Sequence, residues 1–209
     1  MCHGKAIPHL LDPSKLWLGS QKTLGDLAET YGPIKPVKRG RLIPHTEAQA
    51  EGIDLIETPG HAVHHLSFII QGNLFAGEAG GIHLKGEGWE YLRPATPPVF
   101  FLKQFVESID RLLAARDLTM CYAHFARAER SHRMLKRQRA QLLLWEQIIK
   151  EEIAGSNPLP LERCMARLLA DDPELSAFKN MPPADQERER FFMGNSIKGY
   201  LGFFQQGDR

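Results

Sequence analysis

The chain has 209 residues, of which 43% are hydrophobic and 24% charged, with a formal net charge of +1. These proportions are those of a globular domain and exclude collagen-like and disordered classes, while near-neutrality supplies no global field for nucleic acid or anionic lipid. Three widely spaced cysteines, Cys2, Cys121 and Cys164, form no CxxC pair and point to a reducing compartment. With no secretory leader pattern at the N-terminus and no apolar run of the ~20 residues a membrane span requires, a cytoplasmic protein that avoids membranes is expected.

In chain order, Asp12-Pro13 and Ser20 are helix starts ahead of short amphipathic stretches, which predicts one or two small helices within 8–32. The Pro-, Gly- and charge-rich stretch 33–52 reads as loop with one short strand around 34–37. Short apolar or alternating runs at 53–57, 66–70 and 73–76, bounded by Pro and Gly, read as strands, the last two joined by a hairpin turn at Gln71-Gly72-Asn73. Residues 78–97 have no steady period and read as a long surface loop. Phe101, Phe105, Ile109, Leu112 and Leu113 recur at helical spacing, and a strand at 118–123 follows, with His124 at its exit. From about 129 the pattern is helical: one helix to 154, a break at Gly155-Ser156-Asn157-Pro158, a second helix to about 170, and a third over 184–204. A domain boundary is placed near 128, dividing residues 1–128 from a helical C-terminal region, 129–209.

The chemistry-bearing residues sit at strand ends. Thr58-Pro59-Gly60-His61 makes a sharp turn between two strands and presents His61 at a sheet edge. The hairpin that follows returns the chain to the same edge and delivers Glu78 there, since an antiparallel pair begins and ends on one side. His124, at the end of a separate strand, is a third candidate. Imidazole and carboxylate are ligands that zinc, iron or manganese accept, although a histidine after a strand is also a common hydrogen-bonded structural residue. His64 and His65 would point to opposite faces in strand geometry, so at most one faces that edge. His3, His9, His45, His83 and His132 lack ligand spacing and default to surface or structural roles, with His83 placed to reach a substrate from the glycine-rich loop.

Thr58-Pro59-Gly60-His61, then His64-His65-Leu66-Ser67-Phe68, then Leu74-Phe75-Ala76-Gly77-Glu78-Ala79 resembles, in order and spacing, the third and fourth motifs of metallo-β-lactamase-fold proteins. Tyr122-Ala123-His124-Phe125 resembles the fifth. The resemblance implies an α/β fold, the later half of a four-layer αββα sandwich followed by helices. It also implies that His61 serves a first metal, Glu78 bridges two metals and His124 serves the second. The implied activity is metal-dependent hydrolysis of an ester, thioester, lactone, amide or phosphodiester, with zinc, or iron or manganese, in a dinuclear site and a small-molecule substrate.

Two departures accompany the resemblance. The bridging position normally holds Asp and here holds Glu78, and the HxHxDH motif that supplies most ligands is absent from these residues. Each metal would then have two protein ligands where catalytic zinc normally has three, so weak or absent metal binding by this chain alone is expected. The chain is accordingly expected to be a truncated part of a longer parent that would carry the activity. The alternative is a catalytically incompetent homologue acting as an interaction or oligomerisation module, either as a homo-oligomer or with a missing N-terminal half. The basic run Arg127, Arg130, Arg133, Lys136, Arg137 and Arg139 has no interleaved aromatics. It is read as a solvated helix face paired with Glu146, Glu151 and Glu152, and nucleic acid is not expected as a partner. Leu135, Leu142, Trp145 and Ile149 form a packing stripe for the final helix, through Phe191, Phe192, Ile197 and Leu201, or for another subunit.

Overall fold

A computed structural model describes residues 1–124, 126–155 and 160–205. It divides into two compact units, Met1–Glu51 and Gly52–Arg209.

The first unit holds helices α1 (Ile7–Leu11), α2 (Ser14–Leu24) and α3 (Asp26–Tyr31). Asp12 starts α2 as expected: its carboxylate accepts from the Ser14 N–H at 3.1 Å. Gly25, with φ +57°, separates α2 from α3, so three short helices stand where one or two were expected, and Ser20 lies inside α2 rather than at a helix start. The strand expected around 34–37 does not form. This segment is extended, with the Val37 N–H bonded to the Leu10 carbonyl, and Pro33 and Pro36 lack the amide hydrogens a ladder needs. Only Pro13 and Ala28 are buried in this unit.

The second unit is built on a five-stranded sheet. Its strands are β1 (Ile53–Glu57), β2 (Leu66–Ile70), β3 (Asn73–Gly77), β6 (Thr119–Tyr122) and β7 (Arg127–Ala128), side by side in that order. β3 and β6 run parallel, and the other neighbours are antiparallel. Gln71 and Gly72 both take positive φ, +48° and +75°, which is the type I′ turn that matches strand twist in a two-residue hairpin.

The segment read as a long loop is instead a second hairpin, β4 (Ile82–Gly86) and β5 (Trp89–Arg93), turning at Gly88 with φ +73°. Its glycines mark turns at the ends of strands, and Tyr91 and Leu92 are fully buried rather than exposed. Helix α4 (Leu102–Leu113) buries Leu102, Phe105, Ile109 and Leu112, its three- and four-residue stripe.

Helices α5 (Ser131–Ala154), α6 (Pro160–Asp171) and α7 (Pro183–Gln205), with a 3-10 segment at Pro173–Asn180, complete the unit. The expected break at 155–158 lies largely outside the described residues. One apolar core runs through the whole second unit: Leu74, Tyr91 and Met120 of the strands share it with Leu135, Trp145, Leu168, Ile197 and Tyr200 of the helices. Position 128 therefore lies inside a single packed body. The stripe on α5 finds its partner in α7 of the same chain, through Tyr200, whose hydroxyl donates to the Leu142 carbonyl at 2.9 Å, and through Ile197, while Phe191 stays exposed.

Within the basic run Arg130, Arg137 and Arg139 are paired, but with other acids than expected. Arg137 bonds Glu90 and Glu174, Arg139 bonds Asp110 and Arg130 bonds Asp117, while Glu151 and Glu152 engage Arg163 and Arg167 of α6. Acids across a helix–helix or helix–sheet contact are nearer than acids several turns along the same helix. Among the described residues, no helix is long and apolar enough to cross a membrane.

Candidate metal centre

Topology brings the three candidates to one end of the sheet. Gly77 pairs with Tyr122 across the parallel β3–β6 ladder, so Glu78 and His124 both leave the C-terminal ends of neighbouring strands. Glu57 pairs with Leu66, which puts the β1–β2 loop, with His61, at that same end.

The loop is held from outside by α4. The Phe101 N–H donates to the Gly60 carbonyl at 2.9 Å and the Ser108 hydroxyl to the Pro59 carbonyl at 2.6 Å. Gly60 has φ +149°, and a Cβ there would sit 2.4 Å from the Phe105 Cα, so the close approach of loop and helix admits no side chain.

Each candidate has a distinct environment. The Nδ1–H of His61 donates to the Ala95 carbonyl at 2.7 Å, and because a carbonyl only accepts, Nε2 of the neutral ring keeps its lone pair. Glu78 Oε1 accepts from His124 Nε2 at 2.8 Å, while Glu78 Oε2 is buried with no hydrogen-bond partner. Burial would raise the Glu78 carboxyl; the His124 hydrogen bond and the proximity of His61, His124 and His65 outweigh it and hold the group below its ordinary value. The same bond to Glu78 lifts His124 above the usual imidazole value against its partial desolvation. Its side chain remains 54% exposed.

Glu78 thus lies between two imidazoles and touches one of them directly. The ligand atoms of His61, Glu78 and His124 do not all fall within 4.8 Å of one another among the described residues.

His65, left between two faces by sequence, is occupied structurally at both nitrogens. Nε2 accepts from the Glu78 N–H at 3.0 Å, and Nδ1 meets the Thr58 hydroxyl at 2.8 Å. Burial and the nearby His61 push its pKa down to about 4. The unfolded chain binds a proton here near pH 6.5 and the folded chain does not until about 4, so stability falls as pH is lowered across that window. Urea unfolding between pH 7 and pH 4 should register a loss on the order of 3 kcal/mol from this group, flattened in His65→Gln. An equal slope in both proteins would refute the assignment.

His83 is not at this edge. It is 1% exposed, with Nε2 on Glu90 at 3.0 Å, so it is closed to any substrate. His132 Nε2 donates to the Ala115 carbonyl at 2.8 Å, and His3 stacks on His45 within the first unit. Sequence reasoning missed Thr58 and Ser67, both buried hydroxyls beside the centre; the available signal was a Ser inside the otherwise apolar run Leu66–Ile70. It also missed the buried pair Arg93–Glu189, 2.6 Å apart, whose charges reach His124 from β5 and α7. No local pattern marks two residues ninety-six positions apart as partners.

Two imidazoles and a carboxylate that leave one end of a sheet in an α/β fold are a donor set of the kind divalent cations accept. No family model matches the chain. It is 30% identical over 148 residues to a metallo-beta-lactamase fold-containing protein, ST1585, of Sulfurisphaera tokodaii, an alignment covering 68% of this chain and 54% of that protein. Thus the chain spans about half the length of the curated relative it matches. The crystal structure of ST1585, an archaeal metallo-beta-lactamase superfamily protein from Sulfolobus tokodaii, superposes with a TM-score of 0.64 at 21% identity, covering 96% of this chain and 69% of that one. The metallo-beta-lactamase family protein TTHA1429 of Thermus thermophilus superposes with a TM-score of 0.54 at 18% identity, covering 99% and 66%. The chain belongs to the metallo-β-lactamase-fold superfamily.

Proposed function

We propose that this chain carries metal ligands of a metal-dependent hydrolase, with His61, Glu78 and His124 holding zinc, iron or manganese. The observation that carries the reading is Glu78: one oxygen on His124, the other buried with no partner, beside a His61 whose Nδ1 is spent on the Ala95 carbonyl so that Nε2 is the nitrogen left for a ligand. A buried unpaired carboxylate oxygen is costly unless something binds it, and a divalent cation is what a His–Glu–His donor set accepts. A bound divalent cation would supply Lewis acidity at a carbonyl or phosphoryl oxygen and acidify a water. The residues themselves hold and orient: the Ala95 carbonyl fixes the His61 tautomer, and His124 is the exposed member nearest to solvent.

The five-stranded sheet is read as one of the two sheets of a four-layer sandwich. Supporting this, Ser67, Ile69, Leu74 and Ala76 line its buried face, while Ile53, Leu55, Phe68, Ile70 and Phe75 line the other, with Phe75 42% exposed. The same apolar face favours a second reading, an interaction or oligomerisation module without catalysis.

The test is metal analysis of the purified chain after dialysis against zinc, manganese or ferrous iron, joined to hydrolysis of p-nitrophenyl ester, thioester, lactone and phosphodiester probes. Weak uptake of metal, weakened further in His61→Ala, is expected, with full turnover belonging to a longer chain that supplies the remaining ligands. A chain that takes up no metal and elutes as an oligomer would favour the module.

A further inference from the structure

Between the sheet and the candidate metal centre runs a closed circuit of hydrogen bonds whose direction is fixed at every step. At one end the Ser67 hydroxyl donates to the Ala76 carbonyl at 3.0 Å, which leaves Ser67 Oγ as an acceptor for the Thr58 hydroxyl at 2.9 Å. At the other end the Glu78 N–H donates to His65 Nε2 at 3.0 Å, so that nitrogen carries no proton and Nδ1 must. The remaining link then has one polarity: His65 Nδ1–H donates to Thr58 Oγ1 at 2.8 Å, and Thr58 passes its own proton toward Ser67. Thr58 and Ser67 are 1% and 0% exposed, so water does not compete.

The two ends of this circuit grip the chain on either side of Gly77. The Ala76 carbonyl and the Glu78 amide flank a residue with φ +58°, at the irregularity where the β3–β6 register shifts between Phe75 and Gly77. A Cβ on Gly77 would lie 2.5 Å from His65 Nε2, so the imidazole fills the space against the bare backbone. A kink of this kind decides where the next side chain points, and the next side chain is Glu78.

We propose that His65, with Thr58 and Ser67, is a positioning residue that sets the Glu78 carboxylate for the metal through its tautomer and does not touch the metal itself. This rests on the reading of Glu78 as a ligand. Two isosteres separate the two arms of the imidazole. Gln places an oxygen where Nε2 stands and keeps the acceptor for the Glu78 N–H; Asn places an amide where Nδ1 stands, keeps the donor to Thr58 and abandons Glu78.

The experiment uses the full chain and cobalt(II) as probe. His65→Asn should weaken cobalt binding about tenfold or more, while His65→Gln stays within about threefold of wild type, the range expected when a group orienting a ligand is lost or kept. Thr58→Val should weaken it and Thr58→Ser restore it. Imidazole 15N NMR of the wild-type chain should report the Nδ1-protonated tautomer for His65. Equal cobalt affinities for the Asn and Gln variants, or an Nε2-protonated His65, would overturn the proposal. If wild type binds no cobalt, the metal reading of Glu78 fails by itself. The circuit is then judged by Glu78 amide exchange, slow in wild type and His65→Gln and fast in His65→Asn; equal exchange in the two variants would overturn it.

Discussion

Glu78→Ala protein is expected to bind zinc or manganese at least about a hundredfold more weakly than the wild-type chain, because it loses the ligand rather than a group that merely orients one. Glu78 is the anionic member of the trio and the member in electrostatic reach of both imidazoles. Without it, only two imidazoles, His61 and His124, remain in the set, with no anionic donor. His61→Ala and His124→Ala each remove one donor and are expected to cost about tenfold to a hundredfold. The folded state should tolerate Glu78→Ala well. Its Oε2 is buried without a partner, so removing the carboxylate deletes a desolvation cost along with the bond to a half-exposed His124. Isothermal titration with zinc alongside urea unfolding reads both quantities. Unchanged zinc affinity in Glu78→Ala would remove it from the ligand set.

Trp145→Ala is expected to be the most damaging substitution for stability, about 4 kcal/mol, the usual cost of deleting a large buried aromatic. Trp145 is fully buried, and its ring lies 6.1 Å from that of Tyr200 on α7. Its indole N–H also donates to Asp172 Oδ2 at 2.7 Å, an oxygen that accepts from Gln141 Nε2 at the same distance. No cation pairs with this acid among the described contacts of its side chain. Burial raises its pKa, and the donors from Gln141, Trp145 and the Glu174 amide oppose that rise. Trp145→Phe keeps most of the ring volume but removes one donor from a buried carboxylate, which should cost about 1–3 kcal/mol. The gap between the Phe and Ala variants, measured from urea midpoints, divides packing from the hydrogen bond. If both variants lose the same stability, the ring's packing contributes nothing beyond its N–H. Gln141 also donates to the Leu92 carbonyl of β5 at 2.7 Å, so the Asp172 knot ties the C-terminal helices to the second hairpin.

That knot bears on where the chain divides. Sequence placed a boundary at 128 because strand-like periodicity gives way there to helical periodicity. The compact units instead divide at Glu51–Gly52, and strands and helices on both sides of 128 bury their apolar faces in one core. A change of period reports a change of local structure; whether the two structures share a core depends on which faces meet.

The strands of the first hairpin, the helix α4 and the three long helices were legible because each repeats its apolar residues at its own period over enough positions. The common position of His61, Glu78 and His124 at one end of the sheet was legible because short strands with tight turns fix which residues emerge there. The second hairpin was not, since the glycines at its turn and ends resemble those of a loop, and alternation over five residues is weak against them. The 34–37 stretch misled in the opposite direction, with apolar residues but prolines where amides were needed.

The sequence alone therefore determined the first hairpin, helix α4, the three long helices, the end of the sheet from which His61, Glu78 and His124 emerge, and the family, because these depend on order and spacing along the chain. Only the tertiary structure decided that His65 is spent on the Glu78 amide, that His61 is fixed by the Ala95 carbonyl, and that Arg93 and Glu189 stand near His124. Each of those is a contact across separate elements, made through a backbone group or a distant side chain. A carbonyl oxygen exists at every position, and what selects Ala95 is where the packed core puts it.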